Sequence, residues 1–357
     1  MIKTHDELKI GGFMVGAGKP WSQQYMINKS ENEDITGWTK VGNLPEDLFI
    51  SQTIITKNRV YLLGGNSRRS AVNTIYSAII DDNGIIGEWT EVDPLPIPLF
   101  NFQAITVNDR VYLLGGCDER NEVCAVLTAP INEDGSIGKW SRSDSLLKLL
   151  IGSQAIVVKD RIYVLGGTIG YNSSNKVYTA LINKDGTLGK WEESDPLPGL
   201  LSCSQSVVIK NRIYLMGGSI DWIVTSSSVY TADINDDGTL GKWTTSNPLP
   251  EALSDSQVIV TNNKVYLLGG YKFDIYECVG EAVNTVYIAD INEDGSLSEW
   301  VEGTPLPEPL CSFQVLITKN YIYLLGGYGL KRYSTSIYRA NFNGGLNDYS
   351  AYYSSNL

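Results

Sequence analysis

The chain has one histidine, His5, among its 357 residues. A site built on two or more imidazole ligands is therefore excluded within one chain. Basic residues are also scarce. Lys and Arg number 28 against 40 Asp and Glu, a formal net charge of −12 at pH 7. Nucleic-acid phosphates and anionic membrane surfaces both demand a positive field, which this composition does not supply. No apolar run approaches the roughly 20 residues of a membrane helix. The N-terminus, Met1-Ile2-Lys3-Thr4-His5-Asp6-Glu7, places acidic residues where a signal peptide would begin its apolar stretch. The expectation is synthesis in the cytoplasm without a signal peptide, and no membrane insertion. The five cysteines, Cys117, Cys124, Cys203, Cys278 and Cys311, are odd in number, widely spread and lack a C-x-x-C pair. They form neither a disulfide framework nor a zinc site, and the expectation is free thiols. Cys117 and Cys124 flank one loop, and a bridge there would need Cα atoms within about 7 Å. No metal and no cofactor is expected.

What the chain does have is 35 Gly, 21 Tyr and 8 Trp, with 43% hydrophobic residues, enough to bury a large core. These residues repeat. Gly-Gly doublets follow apolar runs at Gly64, Gly115, Gly166, Gly217, Gly269 and Gly326, spaced by 51, 51, 51, 52 and 57 residues. Tryptophans at Trp38, Trp89, Trp140, Trp191, Trp243 and Trp300 keep the same five spacings. Two signals sharing a period, and the same insertion before the last unit, define a repeat architecture.

One unit reads as four short strands. Gln52-Thr53-Ile54-Ile55 is β-branched and apolar, Lys57-Asn58-Arg59 is a polar turn, and Val60-Tyr61-Leu62-Leu63 runs into the doublet. After a variable loop comes a third strand centred on Tyr76. Then follows a hairpin turn, Asp82-Asn83-Gly84 here and Asn132-Glu133-Asp134-Gly135 in the next unit, where Gly accepts the positive φ. The fourth strand carries the Trp, and a Leu-Pro turn such as Leu95-Pro96 leads to the next unit.

Four antiparallel strands per ~50 residues describe a propeller blade. The doublet, the Tyr and the Trp resemble the kelch family. The Tyr-to-Trp interval of 13, as in Tyr76/Trp89 and Tyr178/Trp191, is longer than usual, so the resemblance is to a long-hairpin variant. It covers nearly the whole chain and implies an all-β, seven-bladed kelch-like β-propeller of four-stranded antiparallel blades. Residues 44–349 hold six repeats. Residues 1–43 form an incomplete first blade or closing segment, because Tyr25 lies 13 before Trp38 and Phe13-Met14-Val15-Gly16-Ala17-Gly18 reads as a strand entering a glycine pair. Residues 350–357 are a tail or closing strand. The alternative is six blades with an N-terminal arm, Trp38's strand closing the ring.

The Gln at positions 52, 103, 154, 205, 257 and 314 reads either as a polar ring around the axial channel or, preferably, as a group satisfying backbone at the blade's inner edge. In such a blade the connections between second and third strands, and from fourth strand to the next blade, share one face. Those between second and third strands differ in every unit, and variation on a rigid scaffold is where binding resides. The candidates there are Trp222, which with Trp21 is out of phase with the blade tryptophans, its neighbour Asp221, and Tyr171, Tyr271, Phe273, Tyr276, Tyr328 and Tyr333. The charged candidates are Arg68, Arg69, Asp118, Arg120, Lys331 and Arg332, each equally readable as a solvated loop residue. Asp255 stands before Gln257, where other units carry Ile50, Asn101, Gly152 and Cys203, and is the one carboxylate candidate near the channel.

These residues suit a non-enzymatic propeller that binds a partner protein or a glycan on its variable face. Similar long kelch repeats occur in bacteriophage virion and tail-associated proteins, which implies a virion-associated protein with other virion proteins as partners. A sugar mutarotase, epimerase or lyase working in the axial pocket, and an intracellular protein-interaction adaptor, are the alternatives. A copper radical oxidase site is excluded by the lone His. The Asn-x-Asp-Gly hairpins lack sialidase Asp-box spacing and read as structural turns, with too few carboxylates for strong calcium binding.

Overall fold

The computed structural model describes residues 26–27, 35, 37–68, 70–118, 126–143, 150–170, 172–261, 263–274 and 276–341. Six four-stranded antiparallel units follow the repeat. Blade one comprises Gln52–Thr56, Arg59–Asn66, Ala71–Ile79 and Thr90–Val92, paired in that order. Blades two to five begin with Phe100–Val107, Gln154–Val158, Gln205–Ile209 and Gln257–Thr261 and keep the same order. Blade six takes its inner three strands, Gln314–Ile317, Tyr321–Leu325 and Ser336–Asn341, from the end of the described chain. Its outermost strand is Thr39–Asn43, antiparallel to the third with Lys40 opposite Tyr338. Met26–Ile27 adds a parallel fifth strand against Val260 and Thr261 of blade five.

The ring therefore has six blades, and the seven-bladed expectation is corrected. In blades one, three, four and five the third-strand Tyr faces the residue two beyond the Trp, as Tyr76 faces Glu91 and Tyr178 faces Glu193. Two beyond Trp38 is Lys40, and its partner is Tyr338, so the tyrosine position of Trp38's blade is filled from the other end of the chain. Blade six then meets blade one directly. Leu316, Tyr323 and Leu325 share a buried cluster with Val60 and Leu62, and the Thr53 backbone N–H donates to Gln314 Oε1 at 3.2 Å. Phe13, Trp21, Tyr25, the segment 342–357 and both candidate closing strands of a seventh blade lie outside the described residues.

Each interface between blades is one apolar cluster drawn from two neighbours, and it recruits one repeat Trp. Trp191, Trp243 and Trp300 are buried in three of these clusters, and Trp38, Trp89 and Trp140 are partly buried against the other three. The first doublet glycine is needed where the next blade's connection comes close. A Cβ on Gly64 would sit 2.6 Å from the Leu99 carbonyl oxygen, and the φ of +47° favours glycine independently.

On the face of the hairpin turns, second-strand tyrosines join blades. Tyr61, Tyr163, Tyr214 and Tyr323 donate to the carbonyls of Gly135, Gly238, Gly295 and Gly84 at 3.1, 2.8, 2.8 and 3.1 Å, and Tyr112 donates to Gly186. The turns are held internally by Asp134, Asp185, Asp237 and Asp294, each accepting from a Ser or Thr two residues on. Those hydrogen bonds hold all four carboxyls below the ordinary range. Five of the six blades thus use this face to hold a neighbour, which leaves the other face free to diverge.

Candidate functional site

The variable face is organised around a ring of backbone hydrogen bonds. The N–H of Asn101 donates to the carbonyl of Ile50, Gly152 to Asn101, Cys203 to Gly152, Asp255 to Cys203, Ser312 to Asp255, and Ile50 back to Ser312, at 2.7–3.4 Å. All six residues are left-handed, with φ between +51° and +63°. Five are not glycine, and one, Ile50, is β-branched, so the conformation is unfavourable residue by residue and is imposed by closure of the ring. Position 255 therefore belongs to the repeat through backbone geometry rather than side chain. Just inside it the glutamines bond across blades: Gln154 Oε1 accepts from Ser206 N–H and Oγ–H, both at 3.3 Å, and Gln52 Oε1 from Ala104 N–H at 3.4 Å. They satisfy backbone, as the preferred reading held.

Asp255 is half-buried at this mouth. Its Oδ2 accepts from Ser254 Oγ at 2.8 Å and its Oδ1 from Ser312 Oγ at 3.3 Å, and the Cys203 thiol also bonds to it. Burial raises its carboxyl above the ordinary value, and these donors offset part of the rise. The Cys203 thiol is itself held protonated by burial and by the Asp255 charge.

Three loops dominate the surroundings of the mouth. In blade four, Ser219–Ile220 and Val224–Thr225 form a small hairpin whose tip is Asp221-Trp222, with φ of +51° and +63°. Asp221 Oδ1 accepts from Ser173 N–H, and Ser173 Oγ accepts from Asp221 N–H, both at 2.7 Å. This double bond to blade three fixes the tip. Trp222 is 42% exposed, with Ile223 and Val224 beside it also exposed. The Trp222 ring edge and the Cys203 sulfur converge on Gly152, at 3.7 and 2.9 Å from where a Cβ would stand.

Blade five contributes a long hairpin, Lys264–Asp274 with Val279–Asp290. It carries Tyr271, bridged to Ser254, and Phe273, whose N–H donates to Thr225 Oγ1 of blade four at 3.4 Å. Tyr276 at the tip is 95% exposed. Burial raises the Tyr271 phenol, as do the charges of Cys311, Tyr328 and Asp255, and its backbone pairs with Ser254, the residue before Asp255. Lys272 is engaged by Glu251 and Glu281 at 3.4 and 3.3 Å. Blade six brings Tyr328 and Tyr333, ring centroids 5.5 Å apart, and Tyr333 stacks on Phe49 at 4.7 Å. Lys331 and Arg332 are exposed in the same loop, with Leu330 58% exposed at its tip.

Thus Trp222, Tyr271, Tyr333 and Asp255 come together at the mouth with Tyr328, while Phe273, Lys331 and Arg332 stand on its rim. Arg68 is ion-paired to Asp47, and Asp118 lies beside the buried Cys117, whose thiol is pushed up to about 12 by burial and by that charge. Tyr171, Arg69 and Arg120 lie outside the described residues, as do His5 and Cys124. The thiols of Cys117, Cys203 and Cys311 are buried and unbridged. Ser254, Ser312 and Phe49 belong to the mouth without having been marked in the sequence. Ser312 is itself a left-handed ring residue and Ser254 and Phe49 each precede one, a relation that side chains do not encode. Among the described residues no group of three or more His, Cys, Asp or Glu is arranged for a metal, and no helix is long and apolar enough to cross a membrane.

No protein-family model matches the chain. Curated relatives do. "Kelch-like protein 36" of Bos taurus is 23% identical over 292 residues, 78% of this chain and 44% of that protein. "Kelch-like protein 23" of Homo sapiens is 26% identical over 270 residues, 73% and 42% respectively. "Kelch-like protein terF" of Aspergillus terreus is 26% identical over 263 residues, 66% and 51%. The chain is a β-propeller similar in sequence to kelch-like proteins. A solved structure of the protein YjhT shares the fold, with a TM-score of 0.67 and 14% identity, covering 83% of this propeller and 95% of that chain. The kelch-like propeller spans about two fifths to one half of the length of the curated relatives it matches.

Proposed function

We propose that this propeller is a non-enzymatic protein-binding module, and that it binds through the variable face around the channel mouth. One observation carries the reading. Trp222 is held 42% exposed in a left-handed conformation that tryptophan avoids, at a hairpin tip fixed by the Asp221–Ser173 pair. Strain of about 1–3 kcal/mol persists where something else requires it. An indole presented at the centre of a face, rimmed by Ile223, Val224, Tyr276 and Leu330, matches the aromatic anchor of a protein interface. The kelch-like relatives support the same general role.

Catalysis in the axial pocket would need a second acid or base beside Asp255. The other five ring positions, Ile50, Asn101, Gly152, Cys203 and Ser312, supply no carboxylate, Lys, Arg or Tyr, the Cys203 thiol stays protonated, and burial raises the nearby Tyr271 phenol above its ordinary value, further from a base at neutral pH.

The test is affinity capture and crosslinking from the source cell with three forms: wild type, Trp222→Ala, and Lys184→Ala on the opposite face. A specific partner retained by wild type and Lys184→Ala, and lost by a folded Trp222→Ala, is the expected result. Binding indifferent to Trp222 overturns the reading. Loss of a glycan-array signal in Trp222→Ala would move the ligand to sugar, and copurification with particles would identify the partner as a virion protein. Synthesis in the cytoplasm is part of the same proposal.

A further inference from the structure

The mouth is built for one sign of charge. All six ring N–H groups, which would otherwise attract an anion, donate to ring carbonyls. Asp255 remains as the ring's only ionisable carboxyl. Ser254, Ser312 and Cys203 give it three neutral donors, and no Lys or Arg among the described residues is ion-paired to it. A carboxylate offers about four lone-pair sites, so about one acceptor position is open. A half-buried carboxylate without a cation is an incomplete arrangement, since buried charges are ordinarily paired.

The walls carry the same implication. Tyr271 and Tyr328 pair with Ser254 and Cys311, the residues before Asp255 and Ser312, and Tyr333 and Phe49 extend the aromatic surface from Tyr328. Trp222 leans over Gly152 next to the Cys203 sulfur that bonds to Asp255. Aromatic faces around a carboxylate attract a cation through the ring quadrupole, most strongly when water is excluded. The local cations are elsewhere: Lys272 is shared by Glu251 and Glu281, and Lys331 and Arg332 point from an exposed rim loop.

We propose that the mouth above Asp255 receives a protonated lysine or arginine side chain from the partner protein, one N–H donating to the carboxylate and the alkyl or guanidinium surface lying on the aromatic walls. This rests on the reading of the variable face as the binding face. It names the chemistry of the residue that enters, and it fits a chain of net charge −12. Arrival of the cation restores ionisation of a carboxyl that burial otherwise holds toward its protonated form.

The test uses the full chain and capped Gly-Gly-X-Gly-Gly peptides with X as Arg, Lys, Gln or Glu, titrated by NMR at neutral pH. The expected result is binding of the Arg and Lys peptides about tenfold tighter than the Gln peptide, with the Glu peptide silent. Asp255→Asn should remove that preference without lowering the melting temperature. A second readout is the Asp255 carboxyl resonance, whose titration should shift to lower pH on adding the Arg peptide. Equal binding of Arg and Gln peptides, or a preference that survives in Asp255→Asn, overturns the proposal. A captured partner that needs Trp222 but is indifferent to Asp255→Asn overturns it while the protein-binding reading stands. Arg-peptide binding at Asp255 together with partner capture that ignores Trp222 supports it while overturning that reading of the face.

Discussion

Asp221 and Ser173 exchange two hydrogen bonds of 2.7 Å across the gap between blades three and four, each backbone N–H donating to the other's side chain. Ser173 Oγ also lies 3.5 Å from Ser202 Oγ. Asp221→Ala removes one bond directly and leaves the buried Ser173 N–H without its acceptor. The expected cost is about 1–3 kcal/mol, read in a denaturant melt. Trp222 should also become more accessible to acrylamide, with a Trp222→Phe variant for subtraction. Unchanged quenching would show that the tip is held by something else.

The left-handed backbone at Trp222 has its own consequence. A non-glycine residue there costs about 1–2 kcal/mol, and glycine does not pay it. With the indole 42% exposed, Trp222→Gly should melt at or above the wild-type temperature, and Trp222→Ala within about 0.5 kcal/mol of it. A loss of several kcal/mol in both would mean the indole is core.

Tyr214 is buried, and its hydroxyl donates to the Gly295 carbonyl of the next blade at 2.8 Å. Tyr214→Phe keeps the ring and strands the carbonyl, so destabilisation of about 1–3 kcal/mol is expected in an equilibrium unfolding experiment. Partner capture should survive, because the stitch is on the opposite face from Trp222.

These outcomes separate what side chains announce from what they do not. The period, the four strands per blade and the glutamine role were legible because each depends on a residue type recurring at fixed spacing. Trp222 stood out because it broke that spacing. The seventh blade was a misreading with a definite cause. Tyr25 keeps the interval of 13 to Trp38, yet a sheet records pairing, and Tyr338 faces Lys40 in the structure. The ring at the mouth was invisible because its members, from Ile50 to Ser312, have only a φ angle in common.

Asp255 should make stability pH-dependent in a particular direction. Burial raises its carboxyl above the ordinary 3.8. The folded chain therefore keeps this proton to higher pH than the unfolded chain, and stability falls as pH climbs from about 3.8 through the raised value. Above that window the penalty is constant, and below it the penalty vanishes. Asp134, Asp185, Asp237 and Asp294 act oppositely, their contribution being lost as pH falls. They are common to both proteins when wild type is compared with Asp255→Asn. The difference in unfolding free energy should grow in favour of the variant across that window and then level. A flat difference would show that Asp255 titrates normally.

Gly280 lies against Tyr271 across the blade-five hairpin, where an added Cβ would collide with the phenol oxygen. The phenol is the movable end of a side chain, so Gly280→Ala should fold normally and displace Tyr271 from the mouth. Weaker binding of the Arg peptide at an unchanged melting temperature is the expected result. Unaltered binding would remove Tyr271 from the cation's walls.

The strand that completes blade six comes from residues 39–43, whereas its three companions end at Asn341. During synthesis Thr39–Asn43 emerges ahead of blades one to five, and its pairing partner Ser336–Asn341 emerges behind them. Every intermediate length of nascent chain thus carries one unmatched strand at the front and one unmatched sheet edge at the back. The ring is topologically an open arc until Ser336–Asn341 has been synthesised. An arc of this kind exposes two complementary edges, and at high local concentration the edge of one chain can accept the leading strand of another. The same closure that gives a mature ring its cooperativity makes timing, rather than sequence, the point at which two chains growing side by side can become exchanged.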